Sequence, residues 1–328
     1  MATYKGIKGF SIQNLSADPS NPIEGQVWYN STSNVWKVEE ATTAGSWATA
    51  GNLNTARYGM GGAGIQTAAL SIAGYANPLT AFTSYVEEYD GSTWTTVTAL
   101  PITQSNSSAC GLQTAALSFA GSNSGGRLSS TYEYDGTNWT SGGSLATARQ
   151  DPGGLGTQTA ALCFGGYIGP AYTSNTEEYD GATWTAGGAY PSGRGGIGGA
   201  GTQTAGLAVG GEPPTTTETN SYNGTSWSTV PGTLNTARAY AGSAGLQTAA
   251  IIFGGNLPGN TAATEKYDGT SWSAAENLTT AVRQNGPAKS GTTNASLSFG
   301  GQAPGGDANA TEEYTGPGVL TTKTITVS

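Results

Sequence analysis

An all-β chain folded as a six-bladed β-propeller is what this sequence predicts, on three observations. The first is a repeat. Gly64-Ile-Gln-Thr-Ala-Ala-Leu70 returns as Gly111-Leu-Gln-Thr-Ala-Ala-Leu117, Gly156-Thr-Gln-Thr-Ala-Ala-Leu162, Gly201-Thr-Gln-Thr-Ala-Gly-Leu207 and Gly245-Leu-Gln-Thr-Ala-Ala-Ile251. A decayed sixth copy reads Gly291-Thr-Thr-Asn-Ala-Ser-Leu297. The third positions, 66, 113, 158, 203, 247 and 293, are 47, 45, 45, 44 and 46 residues apart, the period of propeller blades. The second observation is alternation within each unit: Ala68, Leu70 and Ile72 take turns with Thr67, Ala69, Ser71 and Ala73, the period of a strand. The third is composition. With 52 Gly, 16 Tyr and eight Trp but only 10% charged residues, the chain has aromatic surface for a core and lacks the charge of a disordered segment.

Each unit reads as four short strands. The first is glycine-rich, over residues 58–64; the second covers 67–73 and ends in a small-Gly pair (Ala73-Gly74, Ala120-Gly121, Gly165-Gly166, Gly210-Gly211, Gly254-Gly255, Gly300-Gly301). The third, over 86–89, ends in a turn whose Asp-Gly or Asn-Gly accepts positive φ: Tyr89-Asp-Gly, Tyr134-Asp-Gly, Tyr179-Asp-Gly, Tyr222-Asn-Gly and Tyr267-Asp-Gly, with Tyr314-Thr-Gly last. The fourth begins at Trp94, Trp139, Trp184, Trp227 or Trp272. Ahead of each first strand stand Arg57, Arg149, Arg194 and Arg238, with Gln104 in the second unit and Arg283 one residue out of step in the sixth.

An Arg, a Gly-Gly pair, a Tyr-Asp and a Trp in that order resemble the kelch repeat over about residues 39 to 316. The resemblance implies a kelch-type propeller and little about activity, because the family includes enzymes and adaptors. Its copper oxidases need histidine, of which this chain has none. Sialidase-like chemistry would need three arginines on a carboxylate, whereas every Arg except Arg127 belongs to the repeat. The Arg series reads as structural, each guanidinium bonding carbonyls between blades. No catalytic residue, metal site or cofactor is expected; the off-repeat acids Asp18, Glu24, Asp151, Glu212, Glu276 and Asp307 read as solvated loop or arm residues. Cys110 and Cys163 read as two buried thiols, not a disulfide framework.

The chain ends differ from the repeat. Residues 1–27 read as an extended anchoring arm, interrupted by Pro19 and Pro22, and 28–328 as the propeller. Gly25-Gln-Val-Trp-Tyr-Asn and the residues to Val38 read as a hairpin with a polar tip. Val38-Glu-Glu and Trp47 mimic the third and fourth strands, so residues around Trp47 are expected to complete the last blade; the alternating tail 319–328 competes for that place. The Gly-Gln-Val-Trp-Tyr-Asn hairpin resembles openings of structural proteins from tailed (marine) bacteriophage virions. That resemblance implies a non-enzymatic virion protein, displayed as a fibre, decoration or host-adsorption module and joined to other virion proteins, with oligomeric assembly a further implication. A carbohydrate-binding adhesin and a polysaccharide-acting enzyme are the alternatives.

The net charge of −9, from 12 Lys plus Arg against 21 Asp plus Glu, argues against nucleic acid. No apolar run reaches a membrane span, and the start lacks the apolar stretch of a signal peptide, so a soluble protein at an exposed virion surface or tail is expected. Recognition is expected on the loops between second and third strands (75–85, 122–131, 167–176, 212–217, 256–263, 302–310) and on the connections from fourth to first strands, which vary where the turns do not. Their aromatic members Tyr75, Phe82, Tyr85, Tyr167, Tyr172 and Tyr190, with Arg127, are the candidate ligand-binding residues, suited to a host surface glycan or protein.

Overall fold

The computed structural model describes residues 13–20, 22–23, 25–41, 44–77, 81–256, 258–318 and 320–325. The chain divides into two compact units, residues 1–45 with 316–328, and residues 46–315. The division expected from the sequence placed its boundary at residue 27; the units instead put the hairpin together with both chain ends. Residues 1–12 of the expected arm, and Glu24, lie outside the described residues. Among the described residues there is no helix long and apolar enough to cross a membrane.

In the first unit, Val27–Asn30 and Val35–Ala41 form the expected hairpin. Gln13–Leu15 pairs with its first strand in parallel and Leu320–Ile325 with its second antiparallel. Trp28 is fully buried, and its indole N–H donates to Asp18 at 3.0 Å. Asp18 also accepts from Asn30 Nδ2 at 2.7 Å and pairs with Lys37 at 2.5 Å. Those donors, Lys37 first, hold its carboxyl down to about 2. Asp18 is thus the tie of this sheet and not a free surface acid.

The second unit consists of repeated four-stranded antiparallel sheets, arranged as in a β-propeller. Sheet one is Gly61–Ile65, Ala68–Ala76, Ala81–Tyr89 and Trp94–Thr96. Sheets two to five repeat it, starting at Ser108–Leu112, Gly153–Thr157, Gly198–Thr202 and Gly242–Leu246. Sheet six is Gly286–Pro287, Ala295–Phe299, Thr311–Thr315 and, from the other end of the unit, Ser46–Ala50. Trp47 pairs with Tyr314, so the strand around Trp47 completes this sheet and the C-terminal strand does not. Second and third strands of sheet one run longer than the alternation predicts, because the loop between them zips into Tyr75↔Phe82.

First strands contact one another in cyclic order, sheet six returning to sheet one. Two closed sets of main-chain hydrogen bonds fix that order. In one, the N–H groups of Gly59, Asn106, Asp151, Gly196, Tyr240 and Gln284 each donate to the preceding residue of the same series, Gly59 to Gln284, at 2.6–2.9 Å. All six residues have positive φ, between 51° and 63°, which lets their peptide groups face round the axis. In the other, Gly74, Gly121, Gly166, Gly211, Gly255 and Gly301 donate to the carbonyls of Gln104, Arg149, Arg194, Arg238, Val282 and Arg57. The small-Gly pair recurs for this reason: the second Gly has φ of 99–115°, a region closed to most side chains.

Side chains add a second layer between sheets. Gln113 Nε2 donates to the carbonyls of Ala69 and Tyr89 in the preceding sheet, at 3.1 and 2.7 Å. Gln66, Gln158, Gln203 and Gln247 do the same in turn. Indole N–H groups of Trp47, Trp94, Trp184, Trp227 and Trp272 donate to a threonine hydroxyl one sheet back, at 2.9–3.1 Å; Trp139 reaches the carbonyl of Thr98. Tyr89 and Tyr134 donate to Glu313 and Glu88 at 2.7 and 2.9 Å, and Tyr179 and Tyr222 to Glu133 and Glu178.

The arginines work differently from the expectation. They bond within their own sheet, not between neighbours. Arg57 donates to the carbonyls of Ala73 and Thr55 and pairs with Glu87; Arg149 and Arg238 repeat this with Glu177 and Glu265. The Arg57 guanidinium bonds the chain at the bulge in the second strand, where Ala73 has φ 58° and its carbonyl accepts from Nε. In sheet two both charges are gone together: Gln104 replaces the arginine and donates to Ser118 at 2.8 Å, and Tyr132 stands where the glutamate would. Arg194 reaches the half-exposed Glu218 at 3.1 Å. Arg283 is no member of the series, because Val282 holds its place in the second ring; the guanidinium turns to Gln302 Oε1 instead. Cys110 and Cys163 are free and buried in one cluster, and burial pushes both thiols up to about 12.

Removing one partner of a buried ion pair leaves an uncompensated charge, at a cost of about 3–5 kcal/mol. Arg149→Met is therefore expected to lose about that much in urea unfolding. Arg149→Gln with Glu177→Tyr, which copies the uncharged pair of sheet two, is expected to recover part of it. Equal midpoints for the single variant and the parent would contradict the account.

Candidate functional site

Since repeated side chains are engaged in holding the sheets, the unrepeated ones show where function lies. The first strands enclose a small axial well of about 90 Å³. Its mouth is the first main-chain ring, on the face that carries the variable loops. There four of the six residues are not glycine: Asn106, Asp151, Tyr240 and Gln284. Ser107, Ile197 and Asn285 line the wall below them.

The bottom is closed by the decayed sixth repeat. After Gly286–Pro287 that chain leaves its sheet and crosses the axis. Ser290 N–H donates to Gly64 O and its hydroxyl to Gly111 O, at 2.8 and 2.9 Å. Lys289 Nζ donates to Gly154 O at 3.1 Å, with Gly199 O at 3.5 Å. One short segment thus meets carbonyls of sheets one to four. Lys289 separates the well from a second cavity bounded by Thr157, Thr202 and Leu246. Loss of solvation pushes its ammonium down to about 8.

At the mouth two acids that read as solvated surface come together. Tyr240 donates its hydroxyl to Glu212 Oε1 at 3.0 Å. Asp151 accepts from Gln150 Nε2 at 3.1 Å. Burial first, and then the charge of Glu212, push the Asp151 carboxyl up to about 6 against that bond. Burial, followed by Asp151 and Glu212, raises the Tyr240 phenol. Tyr172 meets the same group, its phenol raised by burial and by Glu212. Among the described residues no group of three or more His, Cys, Asp or Glu is placed to hold a metal ion.

The candidate residues named from sequence separate into three sets. Tyr172, Tyr167 and Arg127 lie together beside the well: the rings of Tyr167 and Tyr172 are 5.1 Å apart, and the Arg127 guanidinium lies 4.5 Å over Tyr167. Tyr75 and Phe82 form a separate half-buried cluster with Tyr58, at 5.2 and 5.5 Å, and Tyr85 is 41% exposed on the same hairpin. Tyr190 is not a surface residue. It is 2% exposed, packed at 5.0 Å on Trp227 and hydrogen-bonded by Asn220. Its register accounts for that: Tyr190 follows Leu53, Leu100 and Leu145 and precedes Leu234 and Leu278, all buried. The spacing of that series was available in the sequence. Of the other off-repeat acids, Glu276 is exposed, and Asp307 accepts the Asn77 N–H at 2.7 Å, tying the loop of sheet six to that of sheet one.

A scan against models of known protein families finds none that matches this chain, and a search of curated proteins finds no match. The site stands on its geometry alone.

A carboxyl group with a raised folded pKa makes the native state bind more protons than the unfolded chain between its two values. Stability from Asp151 is therefore complete below about pH 4 and declines as pH rises through about 6. Asp151→Asn is expected to remove that decline and to melt higher than the parent at pH 7, by on the order of 1–2 kcal/mol in unfolding free energy. Melting curves from pH 4 to pH 7 check it; parallel curves for both proteins would refute the assignment.

Proposed function

We propose that the second unit is a six-bladed β-propeller of the kelch type, and that the chain is a non-enzymatic virion structural protein of a tailed phage. In this reading the first unit joins it to other virion proteins, and the propeller is displayed as a fibre, decoration or host-adsorption module whose loop face meets a surface glycan or protein. One observation carries the reading. The Gln, Trp, Tyr and Arg side chains that recur are engaged in bonds within and between sheets, whereas the loop face is irregular in every copy. A scaffold so divided suits recognition, since rigid sheets hold variable loops in place. The Gly-Gln-Val-Trp-Tyr-Asn hairpin supports the virion setting, and its Trp28 and Asn30 bond Asp18 together with Lys37.

A second reading, action on surface polysaccharide, has one observation in its favour. Asp151, its carboxyl pushed up to about 6, stands beside Glu212, and a pair of carboxyl groups is what glycoside cleavage uses. It requires turnover of a surface polysaccharide that Asp151→Asn abolishes.

Deleting residues 1–27, which removes the parallel strand and the start of the hairpin, is expected to abolish incorporation into particles while the repeated sheets still melt cooperatively. Normal incorporation of the truncated chain would sink the virion reading.

A further inference from the structure

We infer that Arg127, held on Tyr167 at the loop face, binds the carboxylate of an acidic sugar at the end of a saccharide chain. The inference rests on the display reading and deepens it by naming the ligand class.

The other arginines of the chain are engaged. Arg57, Arg149, Arg194 and Arg238 each pair with a glutamate, and Arg283 donates twice to Gln302 Oε1. Among the described residues Arg127 is the one arginine with neither an ion pair nor a hydrogen bond. Its Nε is shut off from solvent and unbonded, whereas Nη1 and Nη2 are open to it. The repeat does not account for its place. Arg127 ends a two-residue hairpin, Ser122–Asn123 with Gly126–Arg127, in the loop of sheet two.

The guanidinium is also fixed. Its carbon lies 4.5 Å over the Tyr167 ring. Gly169 crowds it from the next turn, where a Cβ would come within 2.7 Å of Cζ and of both Nη atoms. That turn is tied by the bridge between Tyr167 and Tyr172 and by Ile168 N–H, which donates to Ala171 O at 2.9 Å. Stacking alone contributes about 0.5–1 kcal/mol at a partly exposed site, and a lysine would serve it. It leaves both Nη nitrogens unused.

A guanidinium edge offers two parallel N–H bonds to one carboxylate. With Nε sealed, the edge between Nη1 and Nη2 is the one left to a ligand. A fork already held in place has little freedom to lose on binding. Beside it Tyr167 and Tyr172, both half-buried and with rings 5.1 Å apart, carry apolar surface suited to a pyranose. The two ends of this pair differ in charge. Arg127 lies on Tyr167, whereas Tyr172 packs against Gly195, the bridge partner of Glu212. A sugar along the pair therefore sets its carboxylate at Arg127 and its hydroxyl donors toward Glu212.

The test uses the full chain on immobilised oligosaccharides ending in glucuronic acid, glucose or sulfated galactose. Retention of the glucuronic acid end alone is expected, and it should weaken as salt is raised. Arg127→Lys, which keeps the charge and loses the fork, should weaken retention about fivefold, and Arg127→Gln about tenfold or more. Both variants should melt near the parent. Failure to retain the glucuronic acid end, preference for either other end, or unchanged retention by Arg127→Gln would overturn the proposal. Should that variant not fold, phenylglyoxal, which couples to accessible guanidinium groups, reads the site on the unmodified chain. Shielding of Arg127 by the glucuronic acid oligosaccharide supports the site, and equal modification with and without it refutes it. Host adsorption separates the two levels. Normal adsorption by particles carrying Arg127→Gln refutes the site and leaves display standing, whereas normal incorporation after deletion of residues 1–27 removes display whatever the sugars do.

Discussion

Twelve main-chain hydrogen bonds, in two closed sets of six, hold the sheets of the second unit in order around one axis. Each joins the connection before one first strand to its neighbour, in a region where water has little access and an unpaired peptide group would cost about 1–3 kcal/mol. Closure is therefore collective. No sheet can leave without opening bonds on both of its sides, and residues 57–59 complete both sets by meeting residues 284 and 301. The strand around Trp47 strengthens the same junction from the outer side by pairing along Thr311–Thr315.

Repetition follows from this constraint. A residue that occupies the same place in every sheet meets the same neighbour, and so comes to serve the junction. Glutamine clamps, indole–threonine bonds and tyrosine–glutamate bonds all run from one sheet to the sheet before it. The buried arginine–glutamate pairs act instead inside a sheet, fastening its second strand to its third. Their loss in sheet two removes both charges at once, whereas sheet six, with Val282 in the arginine's place, keeps the buried Glu312, whose carboxylate accepts the Thr279 and Thr280 N–H groups.

Function is then confined to places where the repeat breaks. The sixth copy gives up its Gln and most of its first strand, and with the chain so freed Lys289 and Ser290 close the axis against carbonyls of four other sheets. The mouth of the well departs from the repeat as well, keeping Asp151, Tyr240 and Gln284 at positions where glycine would spare the strain. Asp151 and Tyr240 gather there, with Lys289 closing the same well from below.

A period of forty-five residues was enough to determine the number of repeats, the four strands in each and the turns at Asp-Gly; it left two strands competing for the last sheet, and the pairing of Trp47 with Tyr314 decided between them. Those features rest on local alternation and on identical neighbours, both of which are written along the chain. The leucine series that contains Tyr190 was equally legible, through register. Only the tertiary structure decided that Asp151 and Glu212, sixty-one residues apart and in different repeats, meet beside Tyr240, that Arg283 lies outside the arginine series, and that Leu320–Ile325 pairs with Val35–Ala41. Closing a ring brings together residues that share a radius and a height but no segment of sequence, and contacts of that kind have no period to read.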